Sequence, residues 1–174
     1  RQAMVKHKNK NINTFEIRGN IHTRIDKIGM NKIDGIILAK AGLKRMDMQH
    51  LITEELSLDE FVPSPGQGVL CIEYLSNNMM VKKKLRKIMH GNTEICSAAE
   101  RLFAANMNGN CLSPIGAYAV IENNVLTLTG YVASLDGKKY IKNKISGKKE
   151  DSAQLANELS KVFIDMGSKK LLKC

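Results

Sequence analysis

One cysteine and a group of arginines are the residues of this chain whose types and surroundings could support chemistry. Cys111 lies in the run NGNCLSPIG (residues 108–116), among small and turn-forming residues. Glycine and asparagine tolerate positive φ and Pro114 fixes its own φ, so the loop has an exposed backbone and room beside the sulfur. The sequence therefore allows a bulky group on this thiol. The simpler alternative is a free cysteine in a turn between a helix and a strand.

The arginines lie where predicted strands end. Residues 14–18 alternate like a strand and place Arg18 at its carboxyl end, and Arg24 falls in the first turns of the next helix. The near-continuous apolar run at 33–39 predicts a strand covered on both faces, with Arg45 just beyond it. Ligands of open α/β sheets bind at this edge, so the three arginines could converge on one anion. Each of them alone is more typical of a surface residue.

The composition is that of a globular protein. Of 174 residues, 43% are hydrophobic and 25% are charged, enough for one large domain or two small ones. No apolar run approaches the roughly 20 residues that span a bilayer, and no signal peptide precedes the chain, so no membrane partner is expected. The chain starts at Arg1 without a methionine, partway through a predicted helix, which suggests a piece of a longer protein.

The net charge of +10 favours an anionic partner. Most lysines form short runs that we interpret as solvated surface. No aromatic residues interleave with basic ones and no zinc or helix-turn-helix signature is visible, so nucleic acid is the least favoured partner. The cysteines contain no C-x-x-C pair, which argues against a metal site and a disulfide framework and indicates a reducing compartment. They are Cys71, Cys96, Cys111 and Cys174.

The elements that must position these residues follow an α/β order before residue 62 and an α+β order from about residue 91. Helical spacing and capping residues predict helices at 1–8, after Asn20, at 77–89, at 93–107 and from 151 to 166. Alternation and turn residues predict strands at 14–18, 33–39, 69–74, 117–122, 125–133 and 139–145.

Particular side chains are assigned to these elements. Thr93 is the expected cap of its helix, and Cys71 is expected to be a buried thiol. The helix at 77–89 has apolar positions at Met80, Leu85, Ile88 and Met89. The last helix is expected to turn inward Leu155, Leu159, Val162, Phe163 and Met166, and to stop at Gly167. The proline- and glycine-rich run at 62–68 is interpreted as a hinge or crossover.

Several motifs, in this order, resemble the porphobilinogen deaminase family, also called hydroxymethylbilane synthases. They are RGN with TR (residues 18–24), DGIILA with AGLKR (34–45), PGQG (65–68), AER (99–101) and the loop from Asn110 to Gly116. Each motif alone is weak, whereas together they cover essentially the whole chain and are highly specific. Arg1-Gln2 matches the end of the family's Ser-x-Arg-Arg-Gln run, and Asn110 stands where many members have a second glycine.

The resemblance implies a fold of three domains. Two are similar to periplasmic binding proteins, with the active cleft between them, and the third carries the cofactor. On this interpretation residues 1–62 form the later part of the second α/β domain, and 63–90 the crossover and the segment returning to the first domain. Residues 91–174 form the C-terminal α+β domain, with a three-stranded antiparallel sheet and helices. The family's N-terminal stretch, with its catalytic aspartate, has no counterpart here, and no carboxylate of this chain replaces that aspartate convincingly.

The resemblance also implies the chemistry. Members join four porphobilinogen molecules, with loss of ammonia, into a linear tetrapyrrole in heme biosynthesis. A dipyrromethane cofactor, held by a thioether to the cysteine matched by Cys111, primes the chain. Arginine binds carboxylates bidentately, so the cofactor's acids are expected on Arg1, Arg18, Arg24 and Arg45. The substrate's acids are expected on Arg18, Arg24, Arg45 and Gln67. No metal is expected.

Two hypotheses follow from the sequence. The first is a portion of a cytoplasmic hydroxymethylbilane synthase, inactive alone and monomeric when complete. Its partners would be porphobilinogen, the growing polypyrrole chain and the missing N-terminal part of the same enzyme. The alternative is a non-catalytic anion-binding module that retains the fold.

Overall fold

The computed structural model describes residues 1–30, 32–108 and 112–172. In these ranges the helices are α1 (Gln2–Lys8), α2 (Ile21–Ile25), α3 (Lys40–Arg45), α4 (Met79–Leu85), α5 (Gly91–Asn106), α6 (Ser152–Asp165) and α7 (Ser168–Leu171). The strands are β1 (Ile115–Glu122), β2 (Val125–Ala133) and β3 (Tyr140–Lys148), and short 3-10 turns lie at Gln49–Leu51 and Lys149–Asp151. None of the helices in these ranges is long and apolar enough to cross a bilayer.

The three strands form one antiparallel sheet in the order β1-β2-β3. In the first pair Ile115 lies opposite Val132. Asn123 and Asn124 form the turn between β1 and β2 with φ of 49° and 63°. Asparagine tolerates these left-handed values, which tight hairpin turns of this type require at both central residues. The predicted three-stranded antiparallel sheet is confirmed.

Helices α5 and α6 cover one face of the sheet. Phe103 of α5 and Phe163 of α6 are fully buried, and their rings meet edge to face with centroids 4.9 Å apart. Both rings lie over Gly130 of β2, where a Cβ would stand 2.6 Å from the Phe103 ring. A residue without a side chain is therefore needed at this point of β2, because the aromatic pair fills the space.

The inward face of α6 agrees with the prediction at three of five positions. Leu155, Leu159 and Phe163 are buried, whereas Val162 and Met166 are 38% and 55% exposed. The prediction was wrong for these two because Val162 lies at the margin of the buried stripe of the helix and Met166 follows its last residue. Gly167 ends α6 with a left-handed φ of 87°, as expected.

Helix α1 and the start of the crossover pack on the opposite face of the sheet and along the free edge of β1. The N–H of Ala117 donates to the carbonyl of Pro63 at 2.9 Å, which satisfies one of the N–H groups on the edge of β1 that faces away from β2. A Cβ on Gly116 would lie 2.6 Å from the carbonyl oxygen of Val62, so the crossover runs tightly against β1. The buried residues of this contact are Ala3, Val62, Tyr131 and Ala133.

No strand forms before Ile115 in the described part of the chain, so the strands predicted at 14–18, 33–39 and 69–74 are not observed. A strand needs a neighbouring strand to pair with its N–H and C=O groups. None of these segments has a neighbouring strand here, so they form no sheet although their sequences alternate like strands.

The segment after the crossover is exposed. Cys71 was expected in a core but lies at the surface, beside Leu70 at 76% and Ile72 at 59% exposure. Helix α4 is shorter than predicted, and Met80 and Ile88 are exposed at 70% and 71%. The prediction of a buried Cys71 was wrong because no described element covers this segment. At α5 the cap is also different, since His90 and not Thr93 is the capping residue, and its side chain accepts from the N–H of Thr93 at 3.3 Å.

Phe163→Ala should lower the free energy of unfolding by about 3–5 kcal/mol, because it empties a fully buried site between α5, α6 and β2. Val162→Ala, one position earlier on α6, shortens a side chain that is 38% exposed and should cost less than about 1 kcal/mol. Urea unfolding followed by circular dichroism measures both. Equal losses in the two variants would contradict the assigned buried face of α6.

Candidate anion-binding site

The N-terminal arginine and the crossover meet in the structure. The guanidinium of Arg1 donates from one nitrogen to the carbonyl of Ile37 and from another to Oε1 of Gln67, both at 3.3 Å. The Arg1 side chain is exposed, so its remaining N–H groups can donate to an anion. Two of the residues predicted to bind carboxylates, Arg1 and Gln67, therefore lie side by side although they are far apart in the sequence.

A turn with two glycines presents Gln67. Gly66 and Gly68 have φ of 71° and 84°, left-handed values that glycine adopts without strain. The N–H of Gln67 donates to the carbonyl of Ser64 at 3.0 Å, and that of Val69 to the carbonyl of Gly66 at 3.1 Å. The turn is thus closed by its own hydrogen bonds and leaves Gln67 exposed.

Arg24 lies in α2 and braces the start of that helix. Asn20 caps α2, its side chain accepting from the N–H of Thr23 at 2.9 Å. The Nε of Arg24 donates to the carbonyl of Gly19 at 2.8 Å, which fixes the guanidinium against the cap. Because only one of its five N–H groups is used in this bond, the outer edge of the guanidinium can still bind an anion.

Arg18 lies just before this cap and is open to solvent. Its side chain is 90% exposed, and its pair with Glu16 at 3.4 Å joins two exposed groups, so it contributes little to stability. The Nζ of Lys27 donates to the carbonyl of Arg18 at 3.0 Å and adds a further cation at this point. Arg18 and Arg24 therefore occupy a single cationic turn.

Arg45 is the last residue of α3 and is exposed. Helices α2 and α3 touch, since a Cβ on Gly42 would lie 2.8 Å from Cδ1 of Ile21. The ion pairs among the described residues do not include Arg45. Convergence of Arg18, Arg24 and Arg45 on one ligand stays a prediction.

Cys111 lies outside the described residues, as does Cys174. The two sides of its loop are described. α5 ends at Asn106, and Asn108 has a left-handed φ of 53°. On the far side the carbonyl of Pro114 accepts from the N–H of Ala133 at 3.0 Å. The loop that contains the thiol is therefore joined to a packed helix before it and to the sheet after it.

The side chains present fit an acidic cofactor. Guanidinium and amide N–H groups donate to carboxylate oxygens, and guanidinium groups keep their charge. A dipyrromethane offers such carboxylates as acetate and propionate groups. Among the described residues no cluster of His, Cys, Asp or Glu could hold a metal ion.

A cleft of about 270 Å³ lies among the crossover, α5 and β1, and Gln67, Cys96 and Glu100 are among the residues that line it. Burial raises the pKa of the Cys96 thiol, and the negative charge of Glu100 raises it further. Because the thiolate is the nucleophilic form, Cys96 is held in its less reactive state.

Glu100 is a residue of this region that the sequence interpretation assigned no role. It is only 6% exposed, and its carboxylate accepts from two backbone N–H groups, Gly66 at 2.7 Å and Ala119 at 2.8 Å. The motif Ala99-Glu100-Arg101 contained the signal, because Glu100 precedes the buried Phe103 by one helical turn. A carboxylate on the buried face of a helix needs hydrogen-bond donors, which predicts a structural partner for it.

Two family models match the chain. One is described as "Porphobilinogen deaminase, dipyromethane cofactor binding domain" and matches residues 1–83, and the other as "Porphobilinogen deaminase, C-terminal domain" and matches residues 94–165. Curated relatives named porphobilinogen deaminase are similar over almost the whole chain. The protein from Clostridium acetobutylicum is 40% identical over 95% of this chain, and that from Alkaliphilus metalliredigens is 38% identical over 99%.

The relatives are longer than this chain. The matches span 56% of the Clostridium acetobutylicum protein, 55% of the Alkaliphilus metalliredigens protein and 57% of a Francisella philomiragia protein that is 35% identical over 99% of this chain. The chain therefore spans a little over half the length of the curated relatives it matches.

The pH dependence of stability tests the environment of Glu100. Burial raises the pKa of its carboxyl above the ordinary value, although the N–H donors of Gly66 and Ala119 act in the opposite direction. An acid whose pKa is higher in the folded chain favours folding most below its ordinary pKa, and loses this contribution as pH rises through the folded value. Relative to Glu100→Gln, the free energy of unfolding of the wild type should therefore fall as pH rises above the ordinary pKa of a glutamate.

Glu94→Gln is the matched control, because Glu94 lies on the same helix but is exposed. Chemical denaturation at a series of pH values gives the differences. A wild-type advantage over Glu100→Gln that grows with pH would contradict the environment described here.

Proposed function

The chain belongs to the porphobilinogen deaminase family, and we propose that it forms the carboxylate-binding and cofactor-anchoring portion of a hydroxymethylbilane synthase. This transferase joins four porphobilinogen molecules head to tail with loss of ammonia and yields a linear tetrapyrrole for heme biosynthesis. The observation that carries the proposal is the contact of Arg1 with Gln67 and with the carbonyl of Ile37. This contact brings together hydrogen-bond donors from distant parts of the sequence. Such donors suit the carboxylates of pyrroles.

Charge accumulation gives the arginines their proposed role. Every pyrrole of the substrate carries an acetate and a propionate, so the anionic charge grows with each addition. Each well-placed charge-assisted hydrogen bond contributes about 1.5–3 kcal/mol. We assign the cofactor's carboxylates to Arg1, Arg18, Arg24 and Arg45, and those of incoming porphobilinogen to Arg18, Arg24, Arg45 and Gln67.

Cys111 is the proposed anchor of the cofactor. The dipyrromethane, when bound, supplies the primer to which porphobilinogen units are added. Residues of this chain would determine where that primer starts. Helix α5 ends before the segment that contains Cys111, and after that segment the carbonyl of Pro114 accepts from the N–H of Ala133 in β2. In the sequence Cys111 lies between these two packed elements, so we propose that they limit the positions that the primer can take.

The remaining length of the enzyme is the proposed macromolecular partner. The segment after the crossover exposes Val69, Leu70, Ile72, Leu75 and Met79, a density of apolar side chains unusual for a free surface. We propose that residues 63–90 return to a first domain that covers this segment, that 1–62 complete a second domain similar to periplasmic binding proteins, and that 91–174 form the cofactor-carrying domain. Pairing with that first domain would turn residues 69–74 into a strand.

The catalytic carboxylate is proposed to lie outside this chain, on the part of the enzyme that the relatives have in addition. The cationic species left by loss of ammonia needs such a carboxylate nearby. The complete enzyme is proposed to be a cytoplasmic monomer without a nucleic-acid or membrane partner.

Cys111→Ser in the complete enzyme should reduce formation of hydroxymethylbilane from porphobilinogen to background, because a thioether cannot form on an oxygen. Cys174→Ser, at the last residue of the chain, is the matched control and should retain activity. Ammonia release and tetrapyrrole absorbance measure both. Substantial turnover by Cys111→Ser would show that another residue anchors the primer.

Arg18→Ala should lower kcat/KM about 10–100-fold, the loss expected for one charge-assisted contact to a carboxylate. Because the Arg18 side chain is 90% exposed, its removal should leave the circular dichroism spectrum and the unfolding midpoint unchanged. Lys161→Ala removes an exposed cation from α6 and is the control. Unchanged kinetics for Arg18→Ala would refute its carboxylate-binding role.

A further inference from the structure

We propose that Glu100 is a positioning residue for the carboxylate-binding pair Arg1 and Gln67, because it holds the crossover turn in a fixed place against α5 and β1. The inference rests on the proposed function, since it concerns how this pair meets an anionic ligand. Glu100 acts through Gly66, the residue before Gln67.

The contacts form an unbroken series from helix to site. Oε2 of Glu100 accepts from the N–H of Gly66 at 2.7 Å. The next residue, Gln67, accepts from the guanidinium of Arg1 at 3.3 Å, and the same guanidinium donates to the carbonyl of Ile37. A shift of Gly66 therefore moves the side-chain amide of Gln67, which accepts the hydrogen bond that orients Arg1.

The Glu100 end of this series is rigid. Its other oxygen, Oε1, accepts from the N–H of Ala119 in β1 at 2.8 Å. The neighbouring Ala99 is 1% exposed, and Phe103, one turn further along α5, is fully buried. The carboxylate is thus fixed by a packed helix and by a strand, and the place of Gly66 follows from that of the C-terminal domain.

A second contact holds the start of the crossover without Glu100. The carbonyl of Pro63 accepts from the N–H of Ala117, and Val62 is 2% exposed in the cluster on the opposite face of the sheet. Loss of the Glu100 bond therefore releases the turn at 66–68 while the segment at 62–63 stays attached. Position at the site and overall folding can then be separated by experiment.

The geometry requires a carboxylate at this place. Two N–H donors converge on the side chain, and an ionised carboxylate accepts from both. A glutamine has one carbonyl oxygen and one NH2 group, so either Gly66 or Ala119 would face another donor. The substitution Glu100→Gln keeps the size of the side chain and removes one of its two bonds, which makes it the informative variant.

The test is a double-mutant cycle on the complete enzyme, with Glu100→Gln, Gln67→Ala and the double variant. If Glu100 acts through Gln67, Glu100→Gln should raise KM for porphobilinogen about tenfold with a smaller change in kcat, because the pair binds ground-state and reacting carboxylates alike. The double variant should then resemble Gln67→Ala alone, since coupled residues are not additive. Glu94→Gln, on the exposed side of α5, should leave KM unchanged.

Additive effects in the cycle, or a fall in the unfolding midpoint with KM unchanged, would overturn the positioning role. If Glu100→Gln does not fold, Glu100→Asp carries the same test with the charge retained. Failure of both variants to fold would show that Glu100 serves stability alone and would also overturn the role. A wild-type enzyme without deaminase activity would refute the proposed function, whereas an active wild type with an additive cycle refutes only this inference.

Discussion

The carboxylate of Glu100 and the two backbone N–H groups that donate to it join the halves of this chain. One donor, Gly66, belongs to the crossover, and the other, Ala119, belongs to the free edge of the sheet. An unpaired carboxylate at this depth would be costly, and so would a buried N–H without an acceptor. The pairing therefore selects one arrangement of crossover, helix and strand, and this arrangement sets the place of Gln67, the residue of the crossover that we propose binds an anion.

The two halves of the chain differ in how completely their own residues pair and pack with one another. In the C-terminal half, α5 and α6 bury aromatic and aliphatic side chains against a three-stranded sheet, and both faces of that sheet are used. In the N-terminal half, strand-like sequences have no strand beside them and apolar side chains after the crossover remain exposed. Local sequence sets the helices there, but a sheet requires partners, and the curated relatives are nearly twice as long.

The sequence predicted what local patterns control. The antiparallel sheet, its asparagine turn and the last helix with its glycine stop followed from alternation, turn chemistry and helical spacing. It did not predict the exposure of Cys71, because apolar neighbours in the sequence do not ensure that another element packs over the residue. Nor did it predict the hydrogen bonds of Glu100, whose donors lie 34 residues before it and 19 after it. In the site, Arg1 and Gln67 lie side by side. That both bind carboxylates stays a prediction, as does the meeting of Arg18, Arg24 and Arg45 on one ligand.

The central claim is that this chain anchors an acidic pyrrole primer through Cys111 beside a set of arginines. Peptide mass spectrometry of the complete enzyme, purified without reducing the cofactor, tests it most directly. The account predicts that the peptide containing Cys111 carries the mass of two linked pyrrole units, while the peptides containing Cys71 and Cys96 are unmodified. An unmodified Cys111 peptide in an enzyme that is catalytically active, or an adduct on one of the other cysteines, would contradict it.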